Sequence, residues 1–410
     1  GSQVGLYNVL SMSPLASLYN ADGSTKSIIH MVADDQYVFT RDVVEKLHDN
    51  DQWLNETRGF ASYNSAFGEV KVPWVDGLKY RINAGFDYIQ NNGGNYTGQG
   101  VGSTNPGTVS SAAIDARTTY HWTIENILTY DHTFARKHNI GVTALYSAEQ
   151  NTYNRSNVTA QDIPGDAFEF YNLGRAATTT IDPNNQDYQK WGLMSVMGRV
   201  MYAYDNRYMI SATIRSDASS RLAEGHQWHT YPAVSVGWNV TNESFMQNVH
   251  WLNNLKLRVG FGQTSNQAIA PYATLGLLNT RPYNFGPTGY ATGYYVSGLP
   301  NPGLGWEFSK TLNLGIDFSL FKNRLSGTAE YYVTKTEDIL LNLTLPPTSG
   351  VTNIQSNIGA TQNKGFKLSL NGVILDHPNG ISLEAGLNFY TNKNKIFSLA
   401  SGTTRDEVNW

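Results

Sequence analysis

The sequence predicts an all-β chain, a transmembrane antiparallel β-barrel wall of about twelve strands, and three observations lead there. The first is strict period-two alternation over long runs. Leu312, Leu314, Ile316, Phe318 and Leu320 alternate with Thr311, Asn313, Gly315, Asp317 and Ser319. After Phe321, Lys322 and Asn323 the pattern resumes, with Leu325, Ala329, Tyr331 and Val333 against Arg324, Ser326, Thr328 and Glu330. Successive strand side chains point to opposite faces, so this hairpin has one apolar and one polar face. A strand crossing a bilayer at a tilt needs about nine to eleven such residues. The second observation is composition. Only 15% of the 410 residues are charged, against roughly a quarter in typical soluble domains, while aromatics reach 12% and Gly numbers 38. The third is a regular exchange of short and long connections.

Along the chain, alternating segments begin near residues 55, 78, 119, 138, 191, 207, 230, 253, 308, 323, 361 and 380. Tyr80, Ile82, Ala84, Phe86 and Tyr88 alternate with Arg81, Asn83, Gly85 and Asp87. Tyr208, Ile210, Ala212 and Ile214 oppose Ser211, Thr213 and Arg215, with Arg199 on the polar side of the preceding segment. Leu255, Leu257, Val259 and Phe261 interleave with Lys256, Arg258 and Gly260, and Phe366, Leu368 and Leu370 with Lys367, Ser369 and Asn371. A period of two rather than 3.6 makes each of these a strand. Residues 1–53 show no clean period and read as a rim or loop region, with a helix expected around 41–48. The segment from Thr241 to Gln247 reads as a short capped helical turn.

Short connections fall at Val75-Asp76-Gly77, Ala135-Arg136-Lys137, Asp205-Asn206-Arg207, Phe321-Lys322-Asn323 and Asp376-His377-Pro378-Asn379-Gly380, where Asn, Asp and Gly favour tight hairpins. Long polar connections are expected at 91–118, 152–190, 217–229, 265–307 and 338–360. Short turns at one rim and long loops at the other are the habit of outer-membrane barrels. The mean hydropathy is −0.37, and no stretch reaches the roughly 18 apolar residues of a membrane helix. With no cysteine, disulfides and thiolate metal sites are excluded. A net charge of −4 leaves no basic footprint for nucleic acid. The same composition also fits a secreted β-sandwich or propeller.

Tyr231-Pro232-Ala233-Val234-Ser235-Val236-Gly237-Trp238 with Glu243-Ser244-Phe245-Met246 resembles a signature of the SusC/RagA-like TonB-dependent transporters of Bacteroidetes. So do Leu255-Lys256-Leu257-Arg258 with Gly262-Gln263-Thr264-Ser265-Asn266-Gln267, Asn301-Pro302-Gly303-Leu304-Gly305-Trp306-Glu307, and Asn323-Arg324-Leu325-Ser326-Gly327. Tyr331-Tyr332, Thr336-Glu337-Asp338-Ile339-Leu340, Asn357-Ile358-Gly359 and Asn363-Lys364-Gly365-Phe366 continue the series. The resemblance covers about 55–400 well and the first fifty residues more loosely. It implies an outer-membrane location, a barrel of about 22 strands, and an N-terminal domain, TonB box and plug ahead of that barrel. Those parts, and the C-terminal strands, are not recognisable, and Trp410 follows loop-like residues. The chain is therefore read as a partial barrel domain over 1–410, with barrel strands and loops in 54–400. The resemblance further implies partners: a SusD/RagB-like lipoprotein closing the extracellular face, TonB acting through a segment outside this chain, and outer-membrane lipid.

No catalytic constellation is present. There is no nucleophile elbow, and Gly260-Phe261-Gly262-Gln263-Thr264-Ser265 has no Lys and sits in a strand, so it is no phosphate loop. Charges expected on the lumen face are Arg81, Asp87, Glu125, Arg199, Arg215, Asp217, Lys256, Arg258, Asp317, Arg324, Glu330, Lys367 and Glu384. They read either as plug or substrate contacts or as cross-strand ion pairs of a solvated wall. The aromatic, Gly-rich loop with Tyr283, Phe285, Tyr290, Tyr294 and Tyr295 is the substrate candidate, since aromatic faces stack on sugar rings or peptide side chains. Contact with a lid partner or self-packing is the alternative. His226 and His229 present imidazoles without a supporting carboxylate. Asp182, Asn184 and Asp187 loosely resemble a calcium loop but lack the Gly and terminal Glu of an EF-hand. No cofactor is expected beyond such a structural calcium ion.

The reading is a wall segment of a TonB-dependent importer of oligosaccharides or oligopeptides, without enzymatic chemistry. The rivals are a passive outer-membrane porin and a secreted all-β glycan-binding or glycan-cleaving domain.

Overall fold

In the computed structural model the described residues are 21–23, 29–30, 37–38, 53–99, 107–284, 286, 290–376 and 380–398. The helix expected around 41–48, Phe285 and the segment ending in Trp410 lie outside them. Twelve long strands form the wall. They are β1 (Trp53–Lys71), β2 (Leu78–Thr97), β3 (Ser111–Phe134), β4 (His138–Gln161), β5 (Asp187–Tyr204) and β6 (Tyr208–Ser219). The series continues with β7 (Trp228–Asn239), β8 (Leu252–Asn266), β9 (Glu307–Leu320), β10 (Leu325–Glu337), β11 (Ala360–Leu375) and β12 (Leu383–Ser398). Each strand pairs with its neighbours in sequence, an up-and-down meander from β1 to β12 whose two end strands are not paired to each other.

The residues group into two compact units. One holds Gly1–Asn64, Phe86–His121 and Asn151–Lys190, and the other Ser65–Gly85, Trp122–Gln150 and Trp191–Trp410. In the first unit, Tyr96, Ala112, Ala160, Ile163 and Leu173 make a small buried core. Phe170 lies so close to Gly94 that an added Cβ would strike its ring. The expected long connections 91–118 and 152–190 are shorter than predicted, because β2 runs to Thr97, β3 starts at Ser111 and β4 continues to Gln161. Those strand ends carry polar residues on both faces, so the backbone ladder persists where the alternation has faded. The connections 265–307 and 338–360 likewise contain antiparallel ribbons, Leu277–Asn284 with Tyr290–Gly298 and Leu340–Thr344 with Asn353–Asn357.

The second unit carries the two-faced wall. One apolar row crosses six strands in register: Ile210, Val236, Val259, Leu314, Tyr331 and Phe366. Val236 is 51% exposed and Leu314 42%, exposure that suits hydrocarbon rather than water. Tight turns close one end. Ala135 and Arg136, and Asp205 and Asn206, take positive φ as two-residue hairpins require, and Phe321, Lys322 and Asn323 do so together. Trp74, Phe134, Phe245, Trp251 and Phe321 are exposed near these turns, as in the aromatic girdle of an outer-membrane barrel. Two glycines are set by close approach. A Cβ on Gly327 would lie 2.7 Å from Leu370, Phe318 and the Ser369 carbonyl, and one on Gly365 would strike the Thr391 carbonyl and the Tyr332 ring.

Between β7 and β8 the expected single capped helical turn is two 3-10 turns, Val240–Asn242 and Ser244–Met246. Glu243 joins them through its backbone, its amide donating to the Val240 carbonyl, and its side chain makes no cap hydrogen bond. Its side chain reaches the wall instead, accepting from Tyr208 Oη at 2.6 Å and Trp238 Nε1 at 3.0 Å, with Arg207 at 3.6 Å. The Tyr208 bond, then the Trp238 bond and the Arg207 charge, hold the Glu243 carboxyl below the usual carboxylate range. A depressed native value means the ionised form stabilises the fold above the ordinary carboxylate pKa, and that gain fades as pH falls through the native value. Glu243→Gln should therefore lower the melting temperature at pH 7, with the gap to the parent narrowing as pH falls below about 4. Melting curves of both proteins in detergent across pH 3–7 check this; a gap that stays constant would refute it.

Candidate functional site

The polar face of the wall is organised around Arg258 on β8. Its guanidinium donates from Nε and Nη2 to the two Asp317 carboxylate oxygens at 2.7 and 2.8 Å, and from Nη2 to Glu330 Oε1 at 2.9 Å. Gly315 lies directly opposite Arg258 and next to Glu330 in register, so the arginine can lie across it to a third strand. A Cβ there would be 3.0 Å from the guanidinium. Thr328 Oγ1 donates to Asp317 at 3.1 Å, and Lys256 faces Asp317 across the ladder. Higher up, Arg215 binds Asp217 at 2.8 Å and donates to Ser195 Oγ at 3.0 Å, while Tyr231 donates to Asp217. Arg81 reaches Asn83, which donates to Glu125, and Arg199 donates to Thr213. In the first unit Asp87 pairs with His121.

Of the predicted lumen charges, Arg258 with Asp317 and Glu330, and Asp87 with His121, form cross-strand ion pairs, whereas Arg215 and Arg81 bind partners two residues away on their own strands. Arg324 differs: it lies exposed in the turn after Asn323, because three consecutive positive-φ residues complete the reversal before β10 begins. Replacing Arg258 with Ala would leave Asp317 and Glu330 facing each other, at a cost on the order of 1–3 kcal/mol. A lowered melting temperature for Arg258→Ala, and a smaller loss for Arg258→Ala combined with Glu330→Gln, is the expected outcome. Toward the tight turns, a cavity of about 950 Å³ opens against this face, lined among others by Met201, Met209, Ser235, Lys256 and Arg258.

The opposite end of the second unit is a knot of three long connections. Leu222, Ile269, Leu304 and Trp306 form a buried cluster. Leu304 is 0% and Trp306 7% exposed. Trp306 Nε1 donates to the Gln227 carbonyl at 2.8 Å, and the Ala223 amide to the Leu304 carbonyl at 3.1 Å. Asn357 accepts from the Gly305 amide at 2.7 Å and donates to the carbonyls of Gly305 and Asp338, each at 3.0 Å. Asn301 donates to the Gln355 carbonyl, and Glu307 accepts from the Leu340 amide. In the sequence 301–307 and 357–359 stand only as family-like signatures; in the fold they tie the loops together.

The aromatic substrate candidates sit on the ribbon Leu277–Asn284 and Tyr290–Gly298. Tyr294 is opposite Thr280, Tyr295 opposite Asn279, Tyr283 opposite Ala291 and Tyr290 opposite Asn284. Alternation therefore divides Tyr294 from Tyr283 and Tyr295, so they do not form one patch, although all three are exposed. The candidate calcium loop is a cap. Asp182 accepts from the Asn184 amide and from the Asn184 and Asn185 side chains, and Asp187 accepts from Gln189. Both Asp182 oxygens and one Asp187 oxygen thus accept from N–H donors. Among the described residues no group of three or more His, Asp or Glu side chains converges on a metal position. His229 is engaged with Gln263 and stacked on Phe308.

Residues 11–409 match the family model described as TonB dependent receptor-like, beta-barrel. The chain is 30% identical over 347 residues to TonB-dependent receptor P39 of Formosa agariphila, covering 85% of this chain and 32% of that protein. It is 33% identical over 223 residues to TonB-dependent receptor SusC of Bacteroides thetaiotaomicron, covering 52% of this chain and 22% of that one. Among solved structures, the RagAB peptide transporter superposes with a TM-score of 0.79 at 21% identity, over 94% of this chain and 41% of that chain. The chain therefore spans about a third of the curated relatives it matches over most of its length.

Proposed function

Because this chain belongs to the TonB-dependent receptor β-barrel family, placing it in the outer membrane and outside enzyme chemistry, we propose that it forms part of the wall and mouth of a SusC/RagA-like importer. The cargo is an oligosaccharide or oligopeptide, captured at the long-loop end beneath a SusD/RagB-like lipoprotein and released through a polar lumen by TonB-driven plug movement. The observation that supports this best is the pairing of a register-locked, lipid-suited apolar face with a polar face whose charges are held on the wall. Cells carrying the full receptor should take up fluorescent oligosaccharide or oligopeptide, and a protonophore should stop that uptake. Uptake insensitive to the protonophore would replace the importer with a passive porin.

A further inference from the structure

We propose that a pocket at the loop knot, formed around His226, Trp228, Gly303, Gly305 and Asp338, is a binding subsite for a neutral sugar ring; this rests on the import reading and names the oligosaccharide as cargo. The pocket encloses about 390 Å³, inside the roughly 300–1,000 Å³ range of small-ligand sites. Its base is rigid, because buried Trp306 and the Asn357 hydrogen bonds fix the 301–307 segment beneath it. Of its other walls, His226, Trp228, Gly303 and Asp338 are exposed, and Gly305 and His229 are half-buried. Trp228 is 54% exposed, an indole face of the kind that stacks on the C–H face of a sugar.

Asp338 takes a φ of +53°, a strained position for a residue with a side chain. Asn357 grips its carbonyl, while its carboxylate makes no hydrogen bond or ion pair among the described residues and is left to accept hydroxyl protons. The exposed His226 imidazole can donate from one ring nitrogen and accept at the other. Gly303 and Gly305 add no side chains, so a ring can lie close to the backbone. A ligand carrying many groups that both donate and accept fits this set. Asp338 disfavours an acidic sugar, and a primary ammonium, which only donates, can pair with Asp338 and the acceptor nitrogen of His226 but leaves the imidazole N–H without an acceptor, whereas a hydroxyl serves all three.

The test titrates the full receptor in detergent, by calorimetry, with neutral oligosaccharides, a uronic-acid oligosaccharide and a lysine-rich peptide. Neutral oligosaccharide should bind, with affinity falling at least tenfold in Trp228→Ala and in Asp338→Asn and mostly retained in Trp228→Phe. Because Trp228 and Asp338 are both exposed, all three variants should fold, which heat-dependent gel mobility verifies. Equal neutral-sugar affinity in parent and variants, or no neutral-sugar binding, overturns the subsite. Peptide binding that is lost in Trp228→Ala reassigns the pocket to a cation. Protonophore-sensitive uptake that survives Trp228→Ala removes the subsite while leaving the importer intact, whereas insensitive uptake removes the importer reading itself.

Discussion

Trp306→Ala is expected to loosen the long-loop end of the wall by about 3–5 kcal/mol, the usual cost of deleting a buried tryptophan. Trp306 is 7% exposed, packs with Leu222, Ile269 and Leu304, and donates to the Gln227 carbonyl. Its loss opens a cavity where three connections meet and leaves that carbonyl with the Ser219 amide as its remaining donor. Local opening should rise on the order of a hundred- to a few-thousandfold. Limited proteolysis of the folded receptor should then cut within 267–306 and 338–359 much faster than in the parent, while heat-dependent gel mobility shows the wall still folded. Unchanged cleavage would mean that the knot does not hold these loops. Trp228→Ala, at the same end but exposed, should leave cleavage near the parent rate, so the two tryptophans separate holding from binding.

The strands were legible because lipid imposes a code on them. Where one face meets hydrocarbon, as along Leu312, Leu314, Ile316 and Phe318, apolar residues must recur at every second position, and every strand start but that of β3, at Ser111 rather than near 119, falls within a few residues of its expected place. The far ends of β2, β3 and β4 meet no such demand, and their ladders escaped notice. Arg324 shows the limit from the other side. Counting by twos from Leu325 carries the pattern into a turn whose backbone has already reversed.

The partnerships within the candidate sites were hidden for a different reason. Arg258 and Glu330 are 72 residues apart, and Trp306 and Gln227 are 79 apart. Only register across the intervening strands brings such residues together. Alternation indicated that Arg258 shares a face with Asp317 and Glu330, but not that Gly315 between them lets one guanidinium serve both. The resemblance singled out 301–307 and 357–359, yet gave no reason for them. Their hydrogen bonds supply one: Asn357 satisfies backbone groups of Gly305 and Asp338 that loops of this length would otherwise leave unpaired.

Leu314→Arg is expected to cost about 2–4 kcal/mol, the depth-dependent cost of an arginine near the bilayer midplane, whereas Asn313→Arg should be tolerated. The two positions are adjacent on β9 and differ only in face. Leu314 lies between Val259 and Tyr331 in the apolar row, while Asn313 lies between Gly260 and Tyr332 on the polar face. Lipid around Leu314 offers a guanidinium neither water nor an anion. Around Asn313 the absent side chain of Gly260 leaves room for it to extend into solvent. Reconstituting the full receptor into phospholipid vesicles and measuring the folded fraction by heat-dependent gel mobility compares them directly. The folding equilibrium of Leu314→Arg should fall roughly 30- to 700-fold relative to the parent, with Asn313→Arg close to it. Equal losses at both positions would show that the wall is not two-faced toward lipid. A larger loss at Asn313 would invert it, with 313 facing hydrocarbon and 314 the lumen, and since a one-residue slip of register exchanges the faces of an entire strand, Arg258, Asp317 and Glu330 would then have to meet lipid as well.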